Sequence, residues 1–544
     1  MSPDRLPDRV LIQNDADIGP RAASSGAGEN GSRCWDLSGT RVLIQRDNAG
    51  GMPIQVESPR IAVSRVVLHW SHATRPDALV LGDAWERSYG ELHWTTPASR
   101  RPLPWYFLLR MAEETFGFGV ETGAASIACW WIDHEGITLE LDVRCGGNGV
   151  QLGRRTLHAA TLVMGFTVPG ARPFEVAQDF CRRLCPSPLM PAGPVVGHND
   201  WYWLYGKSSA GLIMEATARM VDLCSGIDGV SRPWSIIDDG WQDSNPLSEP
   251  LCHGGPWERG NSQFPDMPGL AESISAAGAR PGLWIRPLFT HAQTRDSWIL
   301  QAPNPESHTS GFRLDPSVPE VLQQVAGDIE RLHGWGFQLI KHDFTTFDVS
   351  GRWGFEMNAS EDRFTSGGWS YADTTKTSAE IITALYRTIR EAAGRDCLII
   401  GCNTIGHLAA GLVEIQRTGD DTSATDWDRT RRMGVNTLAF RAPQHGAFFA
   451  VDADCVPISP NVPWELTNSW LELVAKSGTP LFLSIDPAAY ATFQKQQIRD
   501  AVVAASRRLP VAEPLDWMET PLPNHWSLEG RNVELCWDEA QYPR

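Results

Sequence analysis

Eight apolar segments in the C-terminal two-thirds of the chain each run out into residues that can do chemistry. The endings are Asn199-Asp200-Trp201, Asp238-Asp239-Gly240-Trp241, Arg286, Lys341-His342-Asp343, Cys402-Asn403, Arg417-Thr418-Gly419-Asp420-Asp421, Asp452-Ala453-Asp454 and Asp486. Charged groups at the end of a buried segment cost free energy unless they are paired or used. Eight independent structural caps would be needed to explain them separately, whereas one acidic pocket explains them together. Several carboxylates with Lys341, Arg417 and tryptophans suit a polyhydroxylated ligand. Aspartates accept from neighbouring hydroxyls, cations donate to others, and an indole covers the apolar face of a sugar ring. Cleaving a glycosidic bond needs two carboxyl groups on different elements, one as nucleophile or base and one as acid, and Asp343 and Asp420 meet that demand.

Such endings converge only if the segments are parallel strands of one barrel, where chemistry collects at the C-terminal strand ends. Strands are expected at Val195–Trp201, Trp234–Asp238, Pro281–Arg286, Phe337–His342, Cys397–Cys402, Glu414–Thr418, Phe448–Val451 and Pro480–Ile485. Amphipathic helices are expected between several of them, at Gly211–Cys224, Gly269–Ala277, Val318–His333, Lys376–Ala393 and Trp427–Leu438. Alternating strands and helices over residues 191–506 predict a (β/α)8 barrel, an α/β fold.

The preceding region, residues 36–190, has a different grammar: short apolar runs such as RIAVSRVVLHW and ITLELDVRC separated by Gly, Pro, Asn and Asp turns, which predicts an antiparallel β-sandwich. Inside it LVLGDAWERSYGELHW packs Asp83, Trp85, Glu86, Arg87 and Tyr89 close together, as a salt-bridged hairpin or as a loop reaching a neighbouring cleft. Residues 1–35, rich in Ser, Gly, Asp and Pro, are expected to form a flexible leader, and residues 507–544 a short C-terminal β-element.

Composition narrows the function classes. The formal net charge of −18 opposes a surface for nucleic acid or anionic membranes. The 23 tryptophans are in excess, as sugar-stacking proteins require. Eleven scattered cysteines cannot pair fully, and Cys181 and Cys185 lack the further ligands of a metal site. No signal-peptide pattern or apolar run long enough to span a membrane is present, so a cytoplasmic setting is expected. Nucleophile-elbow, phosphate-loop, zinc-helix and dinucleotide motifs are absent. No cofactor or metal is expected, although the acidic pocket leaves a Mg²⁺- or Ca²⁺-dependent enzyme as an alternative. The expected partner is a small-molecule carbohydrate, with a homo-oligomer left open.

The motifs, taken in order, resemble the α-galactosidase and raffinose-synthase group of glycoside hydrolases, family 36 and its clan relatives. They are SIIDDGWQ (Ser235–Gln242), FPDMPGLAESI (Phe264–Ile274), GARPGLWIRP (Gly278–Pro287), LDPSVPEVL (Leu314–Leu322), LIKHDF (Leu339–Phe344) and RTGDDTS (Arg417–Ser423), with GDAWERSYGELHW similar to a loop the family sends toward its active site. The resemblance implies a retaining exo-α-galactosidase. Asp343 matches the nucleophile, Lys341 a hydroxyl-binding lysine, Asp420 the acid/base with Asp421 as second choice, and Asp238 and Asp239 the pair that reads O4 and O6 of a terminal galactose. Trp201, Arg286, His342, Cys402, Asn403, Arg417 and Trp85 complete the expected binding set.

Three departures mark this chain. His342 stands where many relatives have Trp; GCNTIGHL (Gly401–Leu408) replaces a Cys-Ser-Gly-rich loop, so that Asn403, Thr404 and His407 would line the O2 side; and no C-terminal sandwich follows. The alternatives are an α-N-acetylgalactosaminidase or a galactosyl-transferring enzyme on the same scaffold, or a catalytically silent sugar-binding protein.

Overall fold

The computed structural model describes residues 5–15, 17–27, 33–47, 50–72, 74–97, 101–227, 232–243, 254–303 and 311–538. Among these, the N-terminal part forms two antiparallel sheets of six and eight strands. Alternating side chains from both sheets fill the space between them; Trp70 packs on Trp130 at 6.2 Å and Phe107 on Phe118 at 5.0 Å.

The expected leader is corrected here. Arg9–Asn14 is a strand paired antiparallel with Val63–Ser71, and Arg21–Ala22 and Ser24–Ala27 extend the two sheets. Within RVLIQN, Val10 and Ile12 point into the core while their neighbours face outward. This period-two signal is short and sits in Ser/Gly/Asp-rich surroundings, which hid it.

The second part is a parallel barrel. Its strands in order are Val196–Asn199, Trp234–Ile237, Arg280–Ile285, Leu339–His342, Leu398–Gly401 and Ile415–Arg417, then a seventh split into Ala450–Asp452 and Val456–Ile458, and an eighth, Leu481–Ile485. Each pairs with the next, and the eighth pairs with the first. The two pieces of the seventh strand are the edges of this sheet, so the chain itself closes the ring through residues 453–455. Asp454 stands in that break with a left-handed backbone, φ 80°.

Ordinary end signals set the helices. Pro319–Gly334 starts on its proline, carries Glu320 in its first turn and ends with Arg331 and His333, which suits the helix dipole. Ser378–Ala393 is closed by a reciprocal Thr377/Glu380 capping box. The helix expected over Trp427–Leu438 is present and runs on to Arg441, with a π-turn at Arg431–Val435 between its α-helical ends, Trp427–Thr430 and Asn436–Arg441. The loop after the sixth strand packs beside this turn. A Cβ on Gly419 would meet the Thr437 hydroxyl at 2.3 Å and the Met433 carbonyl at 2.7 Å, so the loop after the sixth strand lies hard against the widened turn.

The C-terminal stretch forms a three-stranded antiparallel sheet, Glu513–Pro514, His525–Leu528 and Arg531–Glu534. The ten described cysteines are free thiols, and Cys252 lies outside the described residues. Among the described residues no helix is long and apolar enough to cross a membrane.

Candidate active site

At the C-terminal end of the barrel a cavity of about 320 Å³ is lined by residues from at least five barrel strand ends, from the segment following the fourth strand, and from the sandwich. Asp343, Asp420, Asp421, Asp238, Asp239, Lys341, Arg417 and Trp201 all face it, as the sequence predicts. Arg87, Tyr89, Tyr202, Trp284, Phe344, Trp353 and Phe355 join them.

Asp343 leaves the fourth strand and is fixed by three donors. Its Oδ1 accepts from Phe344 N at 2.7 Å and Asn403 N at 3.1 Å, and its Oδ2 from Trp284 Nε1 at 3.3 Å. Burial alone would push this carboxyl up. The charges of Arg87 and Lys341, with the hydrogen bonds from Phe344 and Trp284, outweigh burial and hold it below its ordinary value, so it is ionised at neutral pH. Lys341 does not bond Asp343 directly. Its Nζ reaches across the barrel to Asp238 Oδ2 at 2.6 Å, an oxygen that also accepts from Asn199 Nδ2 at 2.6 Å. Burial disfavours the ammonium, but Asp238 and the other acids keep Lys341 charged. Asp239 is steadied by Gln242 Nε2 at 2.7 Å.

The opposite wall is dense in arginine. Asp420 is tied twice, to Arg429 Nη2 at 2.7 Å and to Arg87 Nη2 at 3.3 Å, and its side chain is 15% exposed. Asp421 is 40% exposed; it takes one close contact, Arg417 Nη2 at 2.9 Å, and a looser one to Arg87 at 3.6 Å. That same Arg417 nitrogen is shared with Asp454 Oδ2 at 2.7 Å. Asp454 also accepts from Tyr202 Oη, from Thr422 N at 2.8 Å and from Thr422 Oγ1 at 3.0 Å. Burial and the negative charge of Asp343 push Asp421 up, while Arg417 and Arg87 pull it down and prevail. Asp452 behind them is pushed up to about 6, chiefly by burial, and so is Asp200 beside Asp238.

The sandwich completes this wall. Ser88 N donates to Thr418 O and Asp420 N to Ser88 O, both at 2.9 Å, which splices the sandwich loop onto the sixth-strand loop. Arg441 locks the junction: it pairs with Asp83 at 3.0 Å and donates to the carbonyls of Glu86 and Thr418. Glu86, buried, accepts from Tyr89 Oη, Gly354 N and Asn403 Nδ2. Gly90, at φ 80°, passes so close to Arg432 that a Cβ would sit 3.0 Å from its backbone.

Five predicted binding residues do not line the cavity. Arg286 is buried in a two-bonded ion pair with Asp348, at 2.6 and 3.0 Å, and its guanidinium lies 4.2 Å over the rings of Phe344 and Phe289. It braces Phe344, whose φ of 60° is left-handed. His342 faces away, 5.8 Å from Tyr386, and burial lowers it to about 4, so it is neutral. Alternation along the strand explains this: with Lys341 on the cavity side, His342 must face outward. Cys402 is buried behind Arg417, 3.9 Å from its Nη1. Trp85 is buried, its indole donating to Asn358 Oδ1 at 2.8 Å. Asn403 is also set back from the cavity, acting through its backbone N–H on Asp343 and through its side chain on Glu86 and Phe347 N. Thr404 bonds Gln416, and His407 stacks on Trp105 at 5.0 Å, so neither lines the cavity.

The residues missed divide by cause. Trp284 and Tyr202 lay in quoted or adjacent motifs, and strand alternation could have placed Trp284. Arg87 and Tyr89 lay in the noticed loop, but no local signal distinguishes them from Trp85. Trp353 and Phe355 belong to a helical segment with no sequence period pointing to the cavity.

No family model matches the chain. Among solved structures it is similar to an α-galactosidase from Thermus thermophilus in complex with p-nitrophenyl α-D-galactopyranoside, at 18% identity and a TM-score of 0.61, covering 92% of this chain and 98% of that one. A family-36 α-galactosidase from Geobacillus stearothermophilus with 1-deoxygalactonojirimycin matches at 14% identity and TM-score 0.61, over 96% of this chain and 76% of that one. A family-31 sulfoquinovosidase from E. rectale with an aza-sugar inhibitor matches at 11% and 0.57, over 99% and 88%. The chain therefore has the sandwich-plus-barrel fold found in these glycoside hydrolases.

Proposed function

We propose that the protein is a retaining exo-glycoside hydrolase that removes terminal α-linked galactose through a covalent glycosyl-aspartate. The observation that carries this reading is an ionised Asp343, held by three hydrogen bonds, in the same cavity as a carboxyl pair on another strand end. Asp343 attacks the anomeric carbon while an acid gives its proton to the leaving oxygen; the same group, now a base, takes a proton from water to release the sugar. Asp238, Asp239 and Lys341 are the hydroxyl-binding floor, and Trp201 and Trp284 supply apolar faces.

For the acid/base role the geometry favours Asp421 over Asp420, the first choice from the motif. Asp420 is 15% exposed and held between Arg87 and Arg429, whereas the side chain of Asp421 is 40% exposed and more open to the cavity. Its carboxyl also feels the Asp343 charge. When Asp343 becomes an uncharged ester, that upward push vanishes and Asp421 becomes a stronger acid, so after giving up its proton it stands as the ionised carboxylate that the base step requires, a cycling of proton affinity between the two half-reactions. Asp420 then holds the sandwich loop in place.

The test is a panel of aryl α-glycosides with wild type, Asp343→Ala, Asp421→Asn and Asp420→Asn. Asp343→Ala should lose about 10⁴-fold or more in kcat, and azide should restore turnover with inverted configuration. Asp421→Asn should spare dinitrophenyl leaving groups in the first step and lose activity steeply as the leaving group worsens. Full activity in Asp343→Ala sinks the mechanism, and the steep dependence appearing in Asp420→Asn instead returns the acid role to that residue.

A further inference from the structure

The cavity has two chemically distinct halves. Asp238, Asp239 and Lys341 give one part charge and hydrogen-bonding capacity, while Tyr89, Phe344, Trp353 and Phe355 give another an aromatic surface. Most large apolar side chains of this protein are buried, but Phe355 is 51% exposed. It is not a stray surface residue, because it lines the cavity and meets the Tyr89 ring edge-on at 5.0 Å. An exposed ring built into a polar site is where a ligand's apolar face would be sheltered from water.

The position of the aromatic half relative to the acids follows from Arg87. Its guanidinium touches Asp420 and Asp421 on one side and lies 5.2 Å over the Trp353 ring on the other. Trp353 stacks on Phe347 at 4.3 Å, and Phe344 is edge-on to Trp353 at 5.8 Å. The aromatic surface thus adjoins the carboxyl pair through Arg87. The group that protonates a leaving oxygen must stand beside the leaving group.

The platform is also anchored. Gly354 N donates to Glu86 Oε1 at 3.0 Å, Trp85 Nε1 to Asn358, and Arg144 Nη2 to the Asp362 carbonyl at 2.9 Å, so the sandwich holds the segment carrying Trp353 and Phe355 from below. A ring fixed in this way needs no reordering to receive a ligand.

We propose that Phe355, Tyr89 and Trp353 form a leaving-group subsite that selects glycosides whose aglycone presents a flat apolar ring face, an aryl group or a second sugar, over those with small alkyl aglycones. This rests on the glycosidase reading. No covalent step is added: the subsite binds the aglycone and releases it once the leaving oxygen is protonated. Ring stacking of this kind contributes most to substrate binding, so its loss falls on KM when the ring is held equally before and in the transition state.

The test compares kcat/KM for p-nitrophenyl, phenyl and methyl α-galactosides and for a galactosyl disaccharide, in wild type, Phe355→Ala and Phe355→Trp. Wild type should prefer phenyl over methyl by more than the leaving-group acidity accounts for. Phe355→Ala should cut the phenyl-to-methyl ratio about tenfold, mainly through KM, and Phe355→Trp should restore it. The disaccharide arm separates the two ring types: a matching loss there assigns the subsite to sugars as well, and a loss confined to aryl substrates assigns it to aryl aglycones. An unchanged ratio in Phe355→Ala, with an unaltered melting temperature, overturns the subsite. A wild type that turns over no glycoside refutes the glycosidase reading instead. The subsite is then judged by binding alone, as quenching of tryptophan fluorescence by phenyl against methyl α-galactoside in Asp343→Asn with and without Phe355→Ala, where equal affinities overturn it.

Discussion

The floor of the cavity and its arginine-rich wall are both made of paired acids and bases, yet they are assembled in opposite ways. On the floor one cation, Lys341, serves Asp238 directly and Asp343 at a distance, and the contributing strands, the second, third and fourth, are hydrogen-bonded neighbours. Their register alone brings the groups together. On the wall Arg87, Arg417 and Arg429 face Asp420, Asp421 and Asp454 from a sandwich loop, the sixth strand, a helix distorted by a π-turn and a break in the seventh strand. No single sheet holds that arrangement; the docking of one domain on another does. The floor should therefore withstand changes elsewhere, and the wall should fail whenever the domain junction fails.

The largest effect should come from breaking the floor. Lys341→Met removes the cation paired with Asp238 and leaves that buried carboxylate without this ion pair, so kcat/KM should fall by about 10²–10³-fold. The melting temperature should fall too, because breaking a buried pair costs about 3–5 kcal/mol. A loss below tenfold in a galactoside assay would mean the floor is not read by the substrate.

Next is the junction. Arg441→Met leaves Asp83 buried and unpaired, where burial already pushes its carboxyl up, and frees the carbonyls of Glu86 and Thr418. Stability should drop by about 3 kcal/mol in urea titrations. Activity on poor leaving groups should fall more than on activated ones, because the proposed acid, Asp421, belongs to the wall. Equal losses on both would show that floor and wall are not independent.

The smallest and most specific effect is a shift with pH. Arg87 is the leading group that holds Asp343 below its ordinary value against burial. With Arg87 in place the acidic limb of kcat/KM should lie below about pH 4, the ordinary carboxylate range, and Arg87→Met should move it to higher pH. The linked stability has the same sign: a depressed carboxyl stabilises the fold fully above about pH 4 and loses that contribution as the pH falls toward its folded value. In Arg87→Met that contribution should shrink, so its melting temperature should depend less on pH through this group below about pH 4. An unmoved acidic limb would place Arg87 outside the reach of Asp343.

Legibility from the sequence follows the same division. The floor was readable: Asp238, Asp239, Lys341 and Asp343 each follow an apolar run directly, and the end of a strand is a place that local pattern can mark. His342 and Cys402 were misplaced although they lie in the same motifs, because a motif gives the order of residues and not the face each one takes. Arg286 was misread because its partner, Asp348, lies on a helix beyond the strand end, a contact with no spacing signature. The first strand of the sandwich is hidden in a polar composition, and the π-turn in the helix after Asp421 has no periodic signature in the sequence.

The sequence by itself determined the two architectures and the ring of polar strand ends with its carboxylates Asp343 and Asp420, because period-two and period-3.6 patterns and strand termini are local properties of the chain. Tertiary structure alone decided which carboxylate of the Asp420–Asp421 pair is open and which is clamped, that Arg87 from the sandwich stands beside them, and that Phe355 is exposed in the cavity. Neighbouring residues share a local environment in sequence but not in space, and the charges that set them apart arrive from segments hundreds of residues away.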